Sequence, residues 1–540
     1  MIISALDNGK TIYTSWRNGK EKVEQVVNFI PYFYISVNSK RPKSYKPSKF
    51  IERDFVYEEG DWYNLEGTKL VRVYVESAKD IKIAKKSFLQ TYEADVPLSF
   101  RYAVDTLGSL PDYKMRKWYW DMEWQQGGLY HDCITTIVMY DNYDGRYYQW
   151  VWFPENTQRN LIYDVTATFT FESEKDMLEN FMQTIQNKNP DMLISWFGNF
   201  ADVPKLLERA CALGLNPLVI SPVSQVKGVV STKNGHKFLY SEKGFGSIEQ
   251  PIKGRITLNL DMAFERQWND SQRGTLPSLS LDYVSELVLN RKKLVSEKFP
   301  DPNEFYRRAW LEDTETYLKY ALVDVELMVE LDELNYCSEA IIALQRLLIA
   351  PFDACFYASH MGSIYFMRNA TWIAPTGEKV ENRREYDGAM IYDPLSEETN
   401  GLHLNVAAFD FAGLYPSMMI ARNISWETKS KEPTEFGVNI LTPRDFSITD
   451  REQMLYYKTD NLGLLPRAVL ELKELRNEYK RLMKEAREND DKNEYVKWYN
   501  NQMAVKRLMA SFYGIVAFQG FGWADVDLAA SITASAREME

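Results

Sequence analysis

The chain has 540 residues, 45% of them hydrophobic and 14% aromatic, with 64 Lys and Arg against 76 Asp and Glu for a formal net charge of −12. That length fits about three or four domains of roughly 150 residues, and the composition supplies several apolar cores and excludes low-complexity disorder. Cys133, Cys211, Cys337 and Cys355 form no close CxxC pair and His131, His236, His360 and His403 do not cluster, which excludes a zinc cluster and a disulfide framework and leaves oxygen ligands for any metal.

The acidic total argues mildly against nucleic-acid binding by net charge and leaves such binding to local basic surfaces. The start, MIISALDNGK, has no basic segment and long apolar run of a signal peptide. No stretch approaches 18 uninterrupted apolar residues, so no membrane span and an intracellular protein are expected. In chain order, PYFYISV and LVRVYVES read as strands of a β-rich region with a helix near 78–90. WYWDMEW, ITTIVMYD and YYQWVWF then read as successive strands of one sheet. A helix follows at 173–187, then a strand at DMLISWF, a helix from about Pro204 and another near 315–335. Strands alternating with helices predict an α/β domain. Residues 336–370 read as apolar helix, NVAAFDF as a strand, and 466–518 as two long helices separated around Glu488–Asn493. DLAASITASAREME reads as a helix with no stop signal and no cap, largely apolar and so leaving a surface to be covered.

Asp121 and Glu123 lie two apart in WYWDMEW and therefore on one face of a strand. Two half-buried carboxylates there repel each other, a cost that a divalent cation removes. Asp202 follows the strand DMLISWF, at the strand end where open α/β sheets place their sites. Asp324 and Tyr320 sit four apart on a helix and share its face. Four carboxylates can hold two metals about 3.5–4 Å apart, one activating a water and one stabilising a leaving oxygen, while a tyrosine hydroxyl orients the water. Taken singly, a DxE pair is also what a solvated strand shows, and a lone helical Asp what a surface shows. In combination these segments resemble the three exonuclease motifs of family B DNA polymerases: DMEW for the first, NFADVPKLLERA for the second and loosest, YALVD for the third. The resemblance implies a 3′→5′ proofreading site with Asp121, Glu123, Asp202 and Asp324 as metal ligands and Tyr320 beside them.

The run NVAAFDFAGLYPSMMIARNIS resembles the same family's motif A. The resemblance makes Asp410 a catalytic, metal-binding carboxylate, lets the backbone from Phe411 to Leu414 curve around a triphosphate, and puts Tyr415 under the incoming sugar, where its ring selects against a 2′-hydroxyl. Without it, LYPS is a turn after a buried strand. Lys473, Arg476, Lys480, Lys484 and Arg487 are spaced 3, 4, 4 and 3 apart and form one helical stripe, which a solvated helix laced with ion pairs would also show. The segment resembles the first fingers helix, in which Arg476 and Lys480 match the triphosphate contacts. In NQMAVKRLMASFYG, Lys506, Ser511, Tyr513 and Gly514 match the second fingers helix, whereas Ala510 stands where the family has Asn. The resemblance makes Lys506 and Tyr513 nucleotide-binding and Gly514 DNA-binding. REYDGAM resembles the Y-x-G-G/A loop, which gives Tyr386 and Gly388 contacts to the DNA backbone.

The fold class expected is multidomain α/β and α+β. It comprises a β-rich N-terminal domain at 1–105 with 336–365 packing back on it, an RNase H-like 3′-5′ exonuclease domain at 106–335, a partial palm at 366–460, helical fingers at 461–518 and a truncated palm segment at 519–540. The family's Y-x-D-T-D motif and thumb are not among these residues. The resemblance therefore implies a polymerase subunit that needs a second chain carrying both, or else a shortened piece of one longer polymerase chain. It would work with primer–template DNA, dNTPs and two Mg²⁺ or Mn²⁺ per active site, reach a sliding clamp through the second subunit, and act in the cytoplasm (a nucleoid or infected cell). The alternatives are a stand-alone 3′-5′ exonuclease and a non-catalytic DNA-binding scaffold.

Overall fold

The computed structural model describes residues 1–154, 166–240, 250–270, 274–378, 381, 383–388, 404–407, 411, 413–440 and 453–539. It divides into two compact units, one of residues 1–29, 107–342 and 351–353, the other of 30–106, 343–350 and 354–540, so the run 1–105 is shared between them.

The first unit is built on a six-stranded sheet in the order Thr166–Phe171, Arg146–Trp152, Ile134–Asp141, Lys117–Trp124, Met192–Ser195, Ile256–Asn259. Lys117–Trp124 pairs antiparallel with Ile134–Asp141 and parallel with Met192–Ser195. Being interior, it is covered on both faces, and its two side-chain sets have different neighbours. Trp118, Trp120 and Met122 enter the main core with Phe181 of the helix Glu174–Lys188, the Trp120 and Phe181 rings lying 5.8 Å apart. On the opposite face Tyr119 donates to Asp332 Oδ2 at 2.5 Å, and Asp332 belongs to the helix Thr314–Asn335. Ser173 caps the first of these helices through the Asp176 N–H, and Asn189 ends it in the left-handed region.

Three antiparallel strands, Ile2–Ala5, Thr11–Asn18 and Glu21–Asn28, join this unit through buried charge. Arg17 Nε donates to Asp191 Oδ2 at 2.5 Å, both side chains being almost wholly buried, and Lys22 lies 3.4 Å from the same carboxylate. Arg255, fully buried beside them, donates to the carbonyls of Ile220, Pro190 and Ile185. Burial, then the Arg255 cation, pushes the Lys22 ammonium down to about 7 against the pull of Asp191.

In the second unit the strands Tyr32–Ser36, Lys69–Tyr74 and Val56–Tyr63 form an antiparallel sheet whose inner face carries Phe33, Ile35, Val71 and Val73. The helix expected near 78–90 is only three short turns, Ala78–Asp80, Ile81–Ala84 and Lys85–Ser87, because Asp80, Ile81 and Ala84 alone among them are buried and too little packing repays helix nucleation. The two long helices are Leu464–Glu488 and Lys492–Ala517, packed on each other and joined by a turn with Asp490 at φ 54°. Two expectations change. In NVAAFDF, Asn405–Ala407 and Phe411 carry no strand, and Val406 is 72% exposed. No neighbouring strand among the described residues takes up their backbone hydrogen bonds, and Ala408–Asp410 lie outside the described residues. The last helix, Val526–Arg537, is capped by Asp525, whose side chain accepts from the N–H groups of Asp527 and Leu528, and every residue from Leu528 to Ala536 is buried. Its Ala, Ser and Thr residues allow close approach of Leu414–Ala421, Lys492–Ala517 and the strand Phe436–Asn439, so the open face expected of it is covered.

Arg17→Met leaves Asp191 buried with only part of its compensation. We expect a loss of about 3–5 kcal/mol in the stability of the first unit, most of it recovered by adding Asp191→Asn. Amide exchange of the sheet strands measures both.

Candidate active site

The strand Lys117–Trp124 and the helix Thr314–Asn335 share a register that builds the site. From Tyr119 to Glu123 the strand advances about 13 Å at ~3.3 Å per residue, and from Asp332 back to Asp324 the helix advances about 12 Å at ~1.5 Å per residue. The contact between Tyr119 and Asp332 at one end therefore brings Asp121 and Glu123 to Asp324 at the other. Asp121, Glu123 and Asp324 each offer an oxygen within 4.8 Å of the other two. Because Met192–Ser195 runs parallel to the first strand, its carboxyl end opens at the same edge, and the helix Asp202–Ala212 begins there with the buried Asp202 in its first turn. Gly198 sits at this bend. A Cβ on it would fall 1.8 Å from Ser195 Oγ, displacing the hydroxyl that hydrogen-bonds Asp202.

The four carboxylates share a cleft of about 340 Å³ whose lining includes Trp124, Phe197, Lys293, Tyr306 and Tyr320. Burial first, then Asp202, Glu123 and Asp324, holds Asp121 well above the usual carboxylate range. Burial and then Asp324 push Glu123 up to about 8. Burial pushes Asp202 up to about 7 despite the Ser195 hydrogen bond, and burial raises Asp324 as well. Asp324 Oδ1 is buried without a hydrogen-bond partner. An all-oxygen donor set, an orphaned carboxylate oxygen and mutual repulsion together fit divalent cations held by Asp121, Glu123, Asp202 and Asp324.

Two residues here are absent from the sequence reading. Lys293 Nζ donates to Asp324 Oδ2 at 2.6 Å and to the Tyr320 hydroxyl at 3.4 Å. Burial lowers its affinity for a proton, but Asp324 above all, then Asp121 and Glu123, hold the ammonium above its ordinary value. It is positioned by its own N–H, which donates to Asp282 Oδ1 at 2.9 Å, and by Arg291, which pairs with Glu326 and Glu330 of the long helix. Tyr306, on the helix Pro302–Glu312, shares a 2.9 Å hydrogen bond with the Tyr320 hydroxyl. In sequence, RKK after a helix end reads as solvated surface, and Tyr306 carried no signal.

The second unit gathers most of the remaining candidates. Gly413, at φ 74°, caps the helix Leu414–Ala421, so the N–H groups of Leu414 and Tyr415 lie in its first turn, where helices attract anions. The Phe411 side chain is 52% exposed, and Asp410 lies outside the described residues. The rings of Tyr415 and Tyr513 are 4.7 Å apart, and the Tyr513 hydroxyl is 3.1 Å from that of Tyr386. The loop of Tyr386 is held by Thr533 Oγ1 and Arg537, which donate to the Asp387 carbonyl at 2.8 Å, and by Arg537 alone, which donates to the Gly388 carbonyl at 2.7 Å. Arg476 Nε donates to Gln502 Oε1 across the helix pair. Burial, then the neighbouring cations Arg476 and Lys506, pull Lys480 down. Lys484, on the same stripe, pairs instead with Glu488 at 3.6 Å. Gly514 lies against Ala358, and Ala510 is exposed.

The first unit thus gathers four carboxylates at one edge of a mixed sheet, and the second brings Arg476, Lys480 and Lys506 near one another across two helices. The family description DNA polymerase family B matches residues 364–539, and DNA polymerase family B, exonuclease domain, matches residues 151–284, together more than half of the chain. The chain belongs to family B of the DNA polymerases. It is 24% identical over 576 residues to the DNA polymerase of Pyrococcus glycovorans, covering 100% of this chain and 67% of that one. It is 26% identical over 577 residues to that of Thermococcus sp. (strain 9oN-7), covering 98% and 66%, and 25% identical over 470 residues to that of Thermococcus gorgonarius, covering 83% and 53%. The chain thus spans between about half and two-thirds of these relatives. The family B DNA polymerase of Pyrobaculum calidifontis has the same fold, with a TM-score of 0.71 over 99% of this chain and 70% of that one at 19% identity.

Raised carboxylates bind more protons in the folded than in the unfolded chain, so without a cation this site costs stability as pH rises from about 4 through about 8. A divalent cation replaces those protons. We expect Mn²⁺ to raise the melting temperature of the first unit more at pH 8.5 than at pH 5.5, and Asp121→Asn with Glu123→Gln to flatten both the pH dependence and the Mn²⁺ effect in a thermal scan.

Proposed function

We propose that the first unit hydrolyses DNA from its 3′ end and that the second is the nucleotide-binding part of a DNA polymerase, so that the chain edits what the polymerase site builds. The observation that carries the exonuclease reading is the convergence of Asp121, Glu123 and Asp324 oxygens within 4.8 Å, with Asp202 and Lys293 in the same cleft. Two Mg²⁺ or Mn²⁺ ions held by the four carboxylates would supply an activated water and charge stabilisation at the leaving oxygen. Tyr320 keeps its proton, because burial and then Asp324 and Glu123 oppose its ionisation. It therefore orients by hydrogen bonding rather than acting as a base, and Tyr306 fixes the direction of its hydroxyl. Lys293 holds Asp324 and offsets part of the negative charge when a phosphodiester enters. Phe197, 50% exposed in the cleft and backed by Phe200 with ring centroids 4.8 Å apart, offers a face on which an unpaired base stacks.

In the polymerase reading Arg476, Lys480 and Lys506 take the triphosphate, with the backbone from Phe411 to Leu414 at the helix start beside it. Tyr415 lies under the sugar against Tyr513, and Tyr386, Gly388 and Gly514 follow the DNA backbone. Asp410 is the first metal-binding carboxylate. The second comes from a Y-x-D-T-D segment that, with a thumb, lies outside these 540 residues, on the same or on a second polypeptide, which would also carry any sliding-clamp contact. The partners are primer–template DNA and dNTPs, and the setting is the cytoplasm. Among the described residues no helix is long and apolar enough to cross a membrane.

A 3′-labelled single strand should be shortened only with Mg²⁺ or Mn²⁺ present, and Asp121→Ala with Glu123→Ala should cut the rate by more than about 100-fold. Undiminished digestion places the chemistry elsewhere. Phe197→Ala should raise KM for an unpaired 3′ end about tenfold with little change in kcat, read from initial rates on unpaired and fully paired ends. Adding a polypeptide with the Y-x-D-T-D segment and thumb should yield dNTP-dependent extension that Lys506→Ala weakens. Digestion without extension under every such addition favours a stand-alone exonuclease.

A further inference from the structure

In a chain with twelve more acidic than basic residues, the run 36–51 holds Lys40, Arg41, Lys43, Lys46 and Lys49 and no acid at all. Arg41 is occupied by Glu59 at 3.0 Å. Lys40, Lys43, Lys46 and Lys49 are exposed and form no ion pair with another described residue. They surround an antiparallel hairpin of strands Ser44–Ser48 and Ile51–Asp54, whose turn presents Phe50 at 96% exposure.

This hairpin is firmly mounted. Tyr45 is buried, donating its hydroxyl to Asp80 Oδ2 at 3.1 Å and accepting the Glu76 N–H at 3.0 Å. Arg53 pairs with Asp80 and, at 3.1 Å, with Glu76. Tyr57 donates to the Pro42 carbonyl at 2.6 Å, and Phe55 N–H to the Lys43 carbonyl at 2.9 Å. Glu76 and Asp80 serve the anchoring side, and of the two exposed acids on the second strand, Glu52 and Asp54, Glu52 accepts from Ser44 Oγ, so four exposed lysines stand against two exposed acids on the hairpin. Mutual repulsion among the lysines falls when a polyanion binds, and little ordering entropy opposes it because the support is already fixed. Edge strands often carry Lys to deter pairing, but Lys40, Lys43 and Lys49 lie outside both strands.

We propose that this hairpin grips single-stranded DNA, with Lys40, Lys43, Lys46 and Lys49 on consecutive phosphates and the Phe50 ring on an unpaired base. A bare aromatic ring between cations is the pairing of features that single strands use, since only an unpaired base offers its face. A duplex would take the phosphate contacts and leave the ring without a partner.

The test uses the full chain carrying Asp121→Ala and Glu123→Ala, so that binding is read without digestion, and a fluorescent oligothymidylate followed by anisotropy across a salt series. Changing the four lysines to Gln should weaken binding at low salt at least tenfold. It should also make the slope of log K against log salt shallower by about 3, from ~0.7 per phosphate contact on a single strand. Phe50→Ala should weaken binding about five- to a hundredfold with the slope unchanged. Lys46→Gln with Lys49→Gln gives a smaller reduction in slope and serves if the fourfold variant does not fold, which its melting temperature reports. Unchanged affinity and slope in these variants overturn the proposal. So does a loss confined to phosphatidylserine vesicles with oligonucleotide binding intact, which would make the patch a membrane contact. Because the readout is equilibrium binding by a chain with its catalytic carboxylates removed, failure here is separate from failure of the nuclease reading.

Discussion

Four carboxylates forced into one cleft, against their own repulsion, are the constraint on which the first unit turns. Nothing in folding favours bringing Asp121, Glu123, Asp202 and Asp324 together, and the displaced pKa values of all four record the cost. The surrounding packing must therefore over-determine their positions. It does so through an interior strand covered on both faces, a helix buried along nearly its full length, and a glycine bend that admits no side chain. Lys293 relieves part of the repulsion with a single charge. One ammonium against four acids leaves an excess of negative charge suited to cations that the protein does not itself provide.

The basic cluster of the second unit has the opposite sign and the same logic. Arg476, Lys480 and Lys506 approach one another across two antiparallel helices, and burial lowers the proton affinity of Arg476 and Lys480. The Leu464–Glu488 helix buries apolar residues chiefly in its first turns, up to Leu472, and stands more exposed beyond. Its cations are thus carried on a rod anchored at one end. The three tyrosines 386, 415 and 513 connect the loop and the helices Leu414–Ala421 and Lys492–Ala517 through one hydrogen bond and one tilted ring contact.

Much of this was legible because local periodicity decided it. The alternation in WYWDMEW puts Asp121 and Glu123 on one face whatever the tertiary context, and Tyr320 and Asp324 share a helical face by spacing alone. Lys293 was not legible, since its burial depends on Arg291 meeting Glu326 and Glu330 more than thirty residues away. The basic stripe was half legible. Spacing gave its five members one face, but only Arg476 and Lys480 lie where Lys506 on the partner helix comes near, and Lys484 lies beyond that crossing. The last helix was visible as a helix, but its run of small residues reads the same whether one face or every face is covered. The described residues of NVAAFDF show the limit of pattern reading: an apolar run cannot by itself supply the neighbour that a strand's backbone requires.

The grip of Thr533 and Arg537 on the carbonyls of Asp387 and Gly388 has a temporal side. These contacts join residues about 150 positions apart in sequence. During synthesis the Tyr386 loop leaves the ribosome long before its two clamps exist. The loop can thus take these contacts only once Val526–Arg537 has been made and has docked.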